Sequence, residues 1–237
     1  MTTITDCPTF IDLKTLADAA TPAGDDPFGH DARELDIGAG PCTVKAIALA
    51  AGSGASEALD GDTFVLVTKG AVQLTGSNGA VDLAAGESAV IARGTPFSWR
   101  AQKPATLIGM SYPLGEGGQA RIVKIDNNAS LNPSNPPADE VLISEKPSCR
   151  SNNHFSSEDG QFSCGVWDST PYTRKPIFFH HTELMHLLAG EVTFTDAVGT
   201  TATFSKGDTL IIEQGAECSW DSRVNVAKIY STFKPAA

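Results

Sequence analysis

Three of the chain's five histidines, His180, His181 and His186, fall within seven residues and flank Glu183. Imidazole and carboxylate both ligate zinc and other divalent ions, and the thiolate of Cys218 is a third acceptable donor. A metal held by such a set would activate a bound water for hydrolysis or isomerisation. The run around Glu183, TELMHLLAGEV, reads as a strand, so period-two alternation sorts its side chains. With Glu183 inward, His181, Met185 and Leu187 share its face, and His180, Leu184, His186 and Leu188 take the other. Cys218 and Trp220 share a face of another segment. The same residues also read as hydrogen-bonded, exposed histidines at a strand entry and an inert core thiol. His186, on the outward face, suits a subunit contact or the packing between barrels. His154 lies in the polar stretch SCRSNNHFSSEDG, which reads as an exposed surface loop.

The elements that must position these residues come in two copies. Residues 63–99 and 183–220 align with Gly70, Gly79, Gly86, Gly94 and Trp99 matching Gly190, Gly199, Gly207, Gly215 and Trp220. The offset is 120 residues for the first two pairs and 121 for the rest, as one insertion requires. Such self-similarity indicates two structurally equivalent units, expected at 1–116 and 117–237, with the junction near Gly115–Gln119. Short runs rich in Val, Leu, Ile and Thr, separated by Gly and Asn-Gly turns, predict antiparallel strands at 63–69, 71–75, 80–83 and 88–92. The second copy repeats them at 183–188, 192–195, 200–204 and 209–213. Only 13–19 reads as a helix. A fainter echo, 10–13 against 122–126, suggests that each unit begins with its own lead-in strand.

Composition bounds the rest. A 41% apolar, 19% charged chain of 237 residues with 22 Gly and 14 Pro is globular and turn-rich, and each copy is long enough for its own core. The net charge of −11 argues against a nucleic-acid or anionic-membrane partner. Five cysteines, an odd count with no CxxC pair, argue against a disulfide framework and fit a reducing cytoplasm. No signal peptide and no membrane-spanning run are legible.

The pattern GxxxxIxxGxxxxW over Gly207–Trp220, and the run ELMHLLAGEV from Glu183, resemble the two conserved blocks of cupins. Residues Gly165–Tyr230 are similar to the cupin_3 (DUF861) subfamily, which includes ethanolamine-utilisation and (S)-ureidoglycine aminohydrolase-related proteins. The resemblance implies an all-β bicupin, two tandem jelly-roll antiparallel barrels. It also implies a divalent metal such as Zn, Mn, Fe or Ni in the C-terminal barrel only. The family's usual metal set is three histidines and a glutamate, and here only Glu183 matches. The other positions carry Ile177, Phe179 and Cys218. With Cys218 inward, as its family position implies, His181, Glu183 and Cys218 converge as alternative metal ligands. Trp167, Trp220, Lys228 and Tyr230 resemble the subfamily's signature positions and, with Glu183, would form an aromatic pocket for a small polar or carboxylate metabolite. The N-terminal copy has Thr63 and Phe97 at the Glu and third-His positions, a degenerate site, so chemistry is expected in the C-terminal half, and the N-terminal barrel is left a structural or dimerisation role or, as the second reading, a small-ligand pocket. Three functions remain open on sequence: a small-molecule-binding cupin, a metal-dependent hydrolase or isomerase, and a structural cupin serving homodimerisation.

Overall fold

The computed structural model describes residues 10–22, 24–35, 40–115 and 118–236. Cys7 and the junction expected at residues 116 and 117 lie outside them. The first half supplies β1 (Phe10–Asp12), α1 (Leu13–Asp18), β2 (Arg33–Leu35), β3 (Thr43–Leu49), β4 (Gly52–Ser56) and β5 (Asp62–Lys69). It continues with β6 (Ala71–Gly76), β7 (Gly79–Ala84), β8 (Ser88–Ile91), β9 (Phe97–Ala101) and β10 (Ala105–Tyr112). The second half supplies β11 (Ile122–Ile125), β12 (Asn132–Ser134), β13 (Cys149–Ser156), β14 (Phe162–Ser169), β15 (Tyr172–Phe178) and β16 (Thr182–Ala189). It ends with β17 (Glu191–Thr195), β18 (Thr201–Ser205), β19 (Thr209–Ile212), β20 (Glu217–Ser222) and β21 (Val226–Phe233).

These strands make two antiparallel barrels, each a large sheet facing a small one. The N-terminal barrel pairs the sheet β11-β8-β5-β10-β3-β2 with β4-β9-β6-β7. The C-terminal barrel pairs β1-β19-β16-β21-β14-β13-β12 with β15-β20-β17-β18. The predicted strands of both copies are present, with ends shifted by a residue or so. The lead-in strands are present too, but each joins the other half. Phe10 pairs with Ile212, and Ile122 pairs with Ile91. Alternation tells which face a strand buries and not which edge it will complete, so the exchange left no trace in the sequence.

The exchange ties the two barrels together through a shared core. Phe64, Leu66, Ile108, Met110 and Tyr112 of the first half pack with Phe162, Cys164, Leu184, Ile229 and Phe233 of the second, and α1 adds Leu13 and Leu16. Each large sheet is therefore covered on both faces. That is why β5 reads as an unbroken apolar run, with its first six residues buried, rather than as an alternating one. The stretch expected as an exposed loop, 148–160, is mostly the strand β13, paired with β14 from Cys149 to Ser156. Its Ser and Asn residues hid it, because it buries only Cys149 and Phe155. His154 accepts a hydrogen bond from the Asp126 amide at 3.2 Å.

His186 sits in the packing between the barrels. It is 6% exposed, its Nδ1 lies 2.9 Å from Thr209 Oγ1, and its Nε2 lies against Gly86 of the first half. Burial pushes its pKa down to about 4, opposed by the nearby Asp208 carboxylate. An unfolded chain takes up this proton below 6.5 and the folded one does not until about 4. Stability from this group is therefore full above pH 6.5 and is lost as the pH falls towards 4, by about 3 kcal/mol in all. Urea denaturation across that window should show the loss in the wild type, and His186→Gln should flatten it.

Candidate functional site

The C-terminal barrel places a charged cluster on the inner face of its large sheet. Strand β16 is regular from Thr182 to Leu187, so Glu183 shares the inward face with the buried Met185 and Leu187. Antiparallel register sets Leu187 beside Lys228 and Lys228 beside Trp167. It likewise sets Met185 beside Tyr230 and Tyr230 beside Gly165. Gly165 is required there: a Cβ would stand 2.8 Å from the Tyr230 hydroxyl and 2.2 Å from the Asn152 carbonyl oxygen.

Lys228 is the centre of the cluster. Its Nζ donates to Glu183 Oε1 at 2.9 Å and approaches Met185 Sδ at 3.1 Å. It lies 4.9 Å from the Trp167 ring centroid and 5.5 Å from that of Trp220, both within cation–π range. On the small sheet, Trp220 is stacked on Tyr172 at 5.3 Å and anchored by its Nε1 donating to Ser222 Oγ. His181 closes the open side, its Nε2 3.6 Å from Glu183 Oε2 and its side chain 30% exposed. Burial alone would raise the Glu183 pKa. The Lys228 charge and the nearby His181 imidazole outweigh it and hold the carboxyl at about 2. Glu183 is therefore a permanent carboxylate inside an aromatic box. Tyr230 is half-buried, and burial pushes its hydroxyl up to about 12, so it acts as a neutral donor.

The sequence pointed to Glu183, His181, Trp167, Trp220, Lys228 and Tyr230, and the fold brings these to one barrel. It missed Tyr172 and Arg174. Arg174 is 4% exposed, donates to the Cys218 carbonyl at 2.7 Å and lies over Phe179. Burial lowers its pKa. Two same-parity residues, Tyr172 and Arg174, were the available signal. A bulge between Arg174 and Ile177 then shifts the register and turns Ile177 and Phe179 into the core.

The residues do not fit the metal that the resemblance implies. Ile177 and Phe179 pack in the apolar core where two histidines would be needed. Cys218 is buried in that core as well, with no disulfide. Among the described residues, no three His, Cys, Asp or Glu side chains are grouped to hold an ion. The position beside Glu183 is taken by an ammonium.

A separate cavity lies away from this cluster. A space of about 620 Å³ opens in the N-terminal barrel over Thr43, Lys45, Thr63, Gly109 and Ser111. Of these residues the sequence singled out Thr63 alone, as the counterpart of Glu183.

Two antiparallel barrels of this topology, each with a large and a small sheet, define a protein of the cupin fold. Residues 156–230 match the family of the EutQ-like cupin domain. A DUF861-family protein of unknown function from Pseudomonas syringae pv. tomato str. DC3000 is 32% identical, with 91% of this chain and 96% of that one covered and a TM-score of 0.81. This chain belongs to that family of EutQ-like, DUF861 cupins. Protein Ylba from E. coli, also of DUF861, superposes with a TM-score of 0.60 at 13% identity, covering 97% of this chain and 93% of that one. Salicylate 1,2-dioxygenase from Pseudaminobacter salicylatoxidans does so at 0.61 and 11%, covering 98% and 86%, a likeness of fold alone. No curated protein matches the sequence.

Proposed function

We propose that this cupin binds a small polar or carboxylate-bearing metabolite in its C-terminal barrel without a metal. The observation that carries this reading is the Lys228 ammonium, held between two tryptophans and bonded to Glu183 where a family metal would need ligands. The box is already neutral, so a ligand meets it from the open side. There His181 offers a hydrogen bond and Trp167 a partly exposed ring face, and deeper in the barrel the Tyr230 hydroxyl, held among the described residues only by a long 3.5 Å bond to Asn153 Oδ1, offers another. Four described cysteines without a disulfide support a reducing compartment such as the cytoplasm.

The test has two measurements. Elemental analysis of gently purified protein should find less than about one-tenth equivalent of any transition metal, since functional sites bind tightly. A stoichiometric metal would instead support the hydrolase or isomerase reading. A thermal-shift panel of acids, amines and sugars should yield a stabilising ligand whose effect is lost in His181→Ala and reduced in Tyr230→Phe. A panel without any shift would remove the binding reading.

A further inference from the structure

We infer that the N-terminal barrel is a second ligand site, built for a free amino acid with an apolar side chain. The two barrels serve as controls for one another. In the C-terminal barrel the inward rows are Glu183–Thr232–Ser163, Met185–Tyr230–Gly165 and Leu187–Lys228–Trp167. The equivalent rows in the N-terminal barrel are Thr63–Ser111–Thr43, Val65–Gly109–Lys45 and Val67–Leu107–Ile47. Large and small residues have changed places. Where Tyr230 fills one interior, Gly109 leaves the other empty, and Lys45 stands where Gly165 must be bare. The third row of the N-terminal barrel is wholly aliphatic. The result is the cavity of about 620 Å³, with one cation on its floor.

The hydrogen bonds of that floor specify what it lacks. Among the described residues, the Lys45 ammonium makes one hydrogen bond, to the Gly29 carbonyl at 3.1 Å. An ammonium has three donors, so two remain for an anion. Thr63 Oγ1 donates its single hydrogen to the Gly61 carbonyl at 3.0 Å. In the 2.9 Å contact between Thr63 and Ser111, the donor is therefore Ser111. Both hydroxyl hydrogens are committed, and the Ser111 oxygen faces the cavity as an acceptor. Glu57 and Asp60 stand exposed at the rim. One cation, an adjacent acceptor and an acidic rim match a carboxylate bearing an ammonium group. A dianion would be repelled by the rim, and a plain acid would leave the acceptor unmatched. Phe28, Ile47 and Leu59 supply an apolar wall for a hydrocarbon side chain. Phe28 is fixed edge-on to Phe97 at 5.1 Å, so this wall is formed before any ligand enters.

The probes are phenylalanine, phenylpropionate (the same skeleton without the amine) and phenethylamine (without the carboxylate), titrated calorimetrically into the full chain. Phenylalanine should bind at least about tenfold tighter than either analogue. Lys45→Met should weaken it by about tenfold or more, and Ser111→Ala should erase the preference over phenylpropionate while leaving the fold intact. No heat with any probe, or phenylpropionate binding as tightly as phenylalanine to the wild type, would overturn the inference. So would binding that falls with His181→Ala and survives Lys45→Met, which would place the ligand in the C-terminal barrel and leave that reading intact.

Discussion

Lys228→Met should lower the stability of this protein by about 3–5 kcal/mol, the cost of leaving one member of a buried ion pair without its partner. For a chain of this length that corresponds to a fall in melting temperature of roughly 6–20 °C. The reason is the environment of Glu183. Its side chain is 13% exposed, and that of Lys228 is 8% exposed. With the ammonium gone, the carboxylate keeps, among the described residues, His181 at 3.6 Å as its one close charged neighbour. The double variant Glu183→Leu with Lys228→Met should recover most of the loss, because two apolar side chains suit a box already lined by Trp167, Trp220 and Met185. A double variant as unstable as the single one would mean that the tryptophans, and not the carboxylate, set the cost.

The same pair fixes an acid limit. Glu183 titrates at about 2 in the fold against 4.5 when free. Its contribution, about 3 kcal/mol, is therefore fully present above pH 4.5 and is lost as the pH falls towards 2. This window lies below that of His186, so acid should weaken the protein in two stages. Lys228→Met removes the main cause of the depressed value and should move the lower stage upward in pH.

Much of this was legible in the sequence, and the omissions have two causes. The strand pattern and the paired glycines follow from local chemistry, turn by turn, and they located both barrels. Alternation, a local rule, grouped Glu183 with His181, Met185 and Leu187, whereas Lys228 was named through the family resemblance alone. That Lys228 ends beside Glu183 was not legible, since their meeting depends on register between β16 and β21, 45 positions apart in sequence. The exchange of β1 and β11 is likewise a choice of edge. The residues of the N-terminal cavity were not legible for a different reason. Matching Thr63 and Phe97 against the family's ligands asks whether old chemistry persists, and a cavity is made by what is small. Gly109 and Lys45 mean nothing singly, and acquire meaning only when set beside Tyr230 and Gly165.

Gly190→Ala should be nearly as damaging as the loss of Lys228, and the internal repeat supplies its own control. Gly190 has a φ of 78°, which costs a residue with a Cβ about 1–2 kcal/mol. Gly207 has a similar φ of 92° but open space around the added carbon. At Gly190 that carbon would stand 2.1 Å from the Asn225 carbonyl oxygen and 3.1 Å from the Val226 Cα. Both are backbone atoms and cannot rotate aside. Gly70, the counterpart in the first copy, meets the Pro104 carbonyl oxygen at 2.6 Å. The expected order of destabilisation is therefore Gly190, then Gly70, then Gly207, with about 4 kcal/mol or more for the first and about 1–2 for the last. Denaturation midpoints of the three alanine variants test it, and equal losses at Gly190 and Gly207 would show that the left-handed turn alone matters. The position also bears on the site. Relief of the clash must move Asn225 and Val226, and Val226 begins the strand that carries Lys228 two residues further on. Gly190→Ala should thus weaken ligand binding in the C-terminal barrel even at temperatures where the variant remains folded, whereas Gly207→Ala should leave it unchanged.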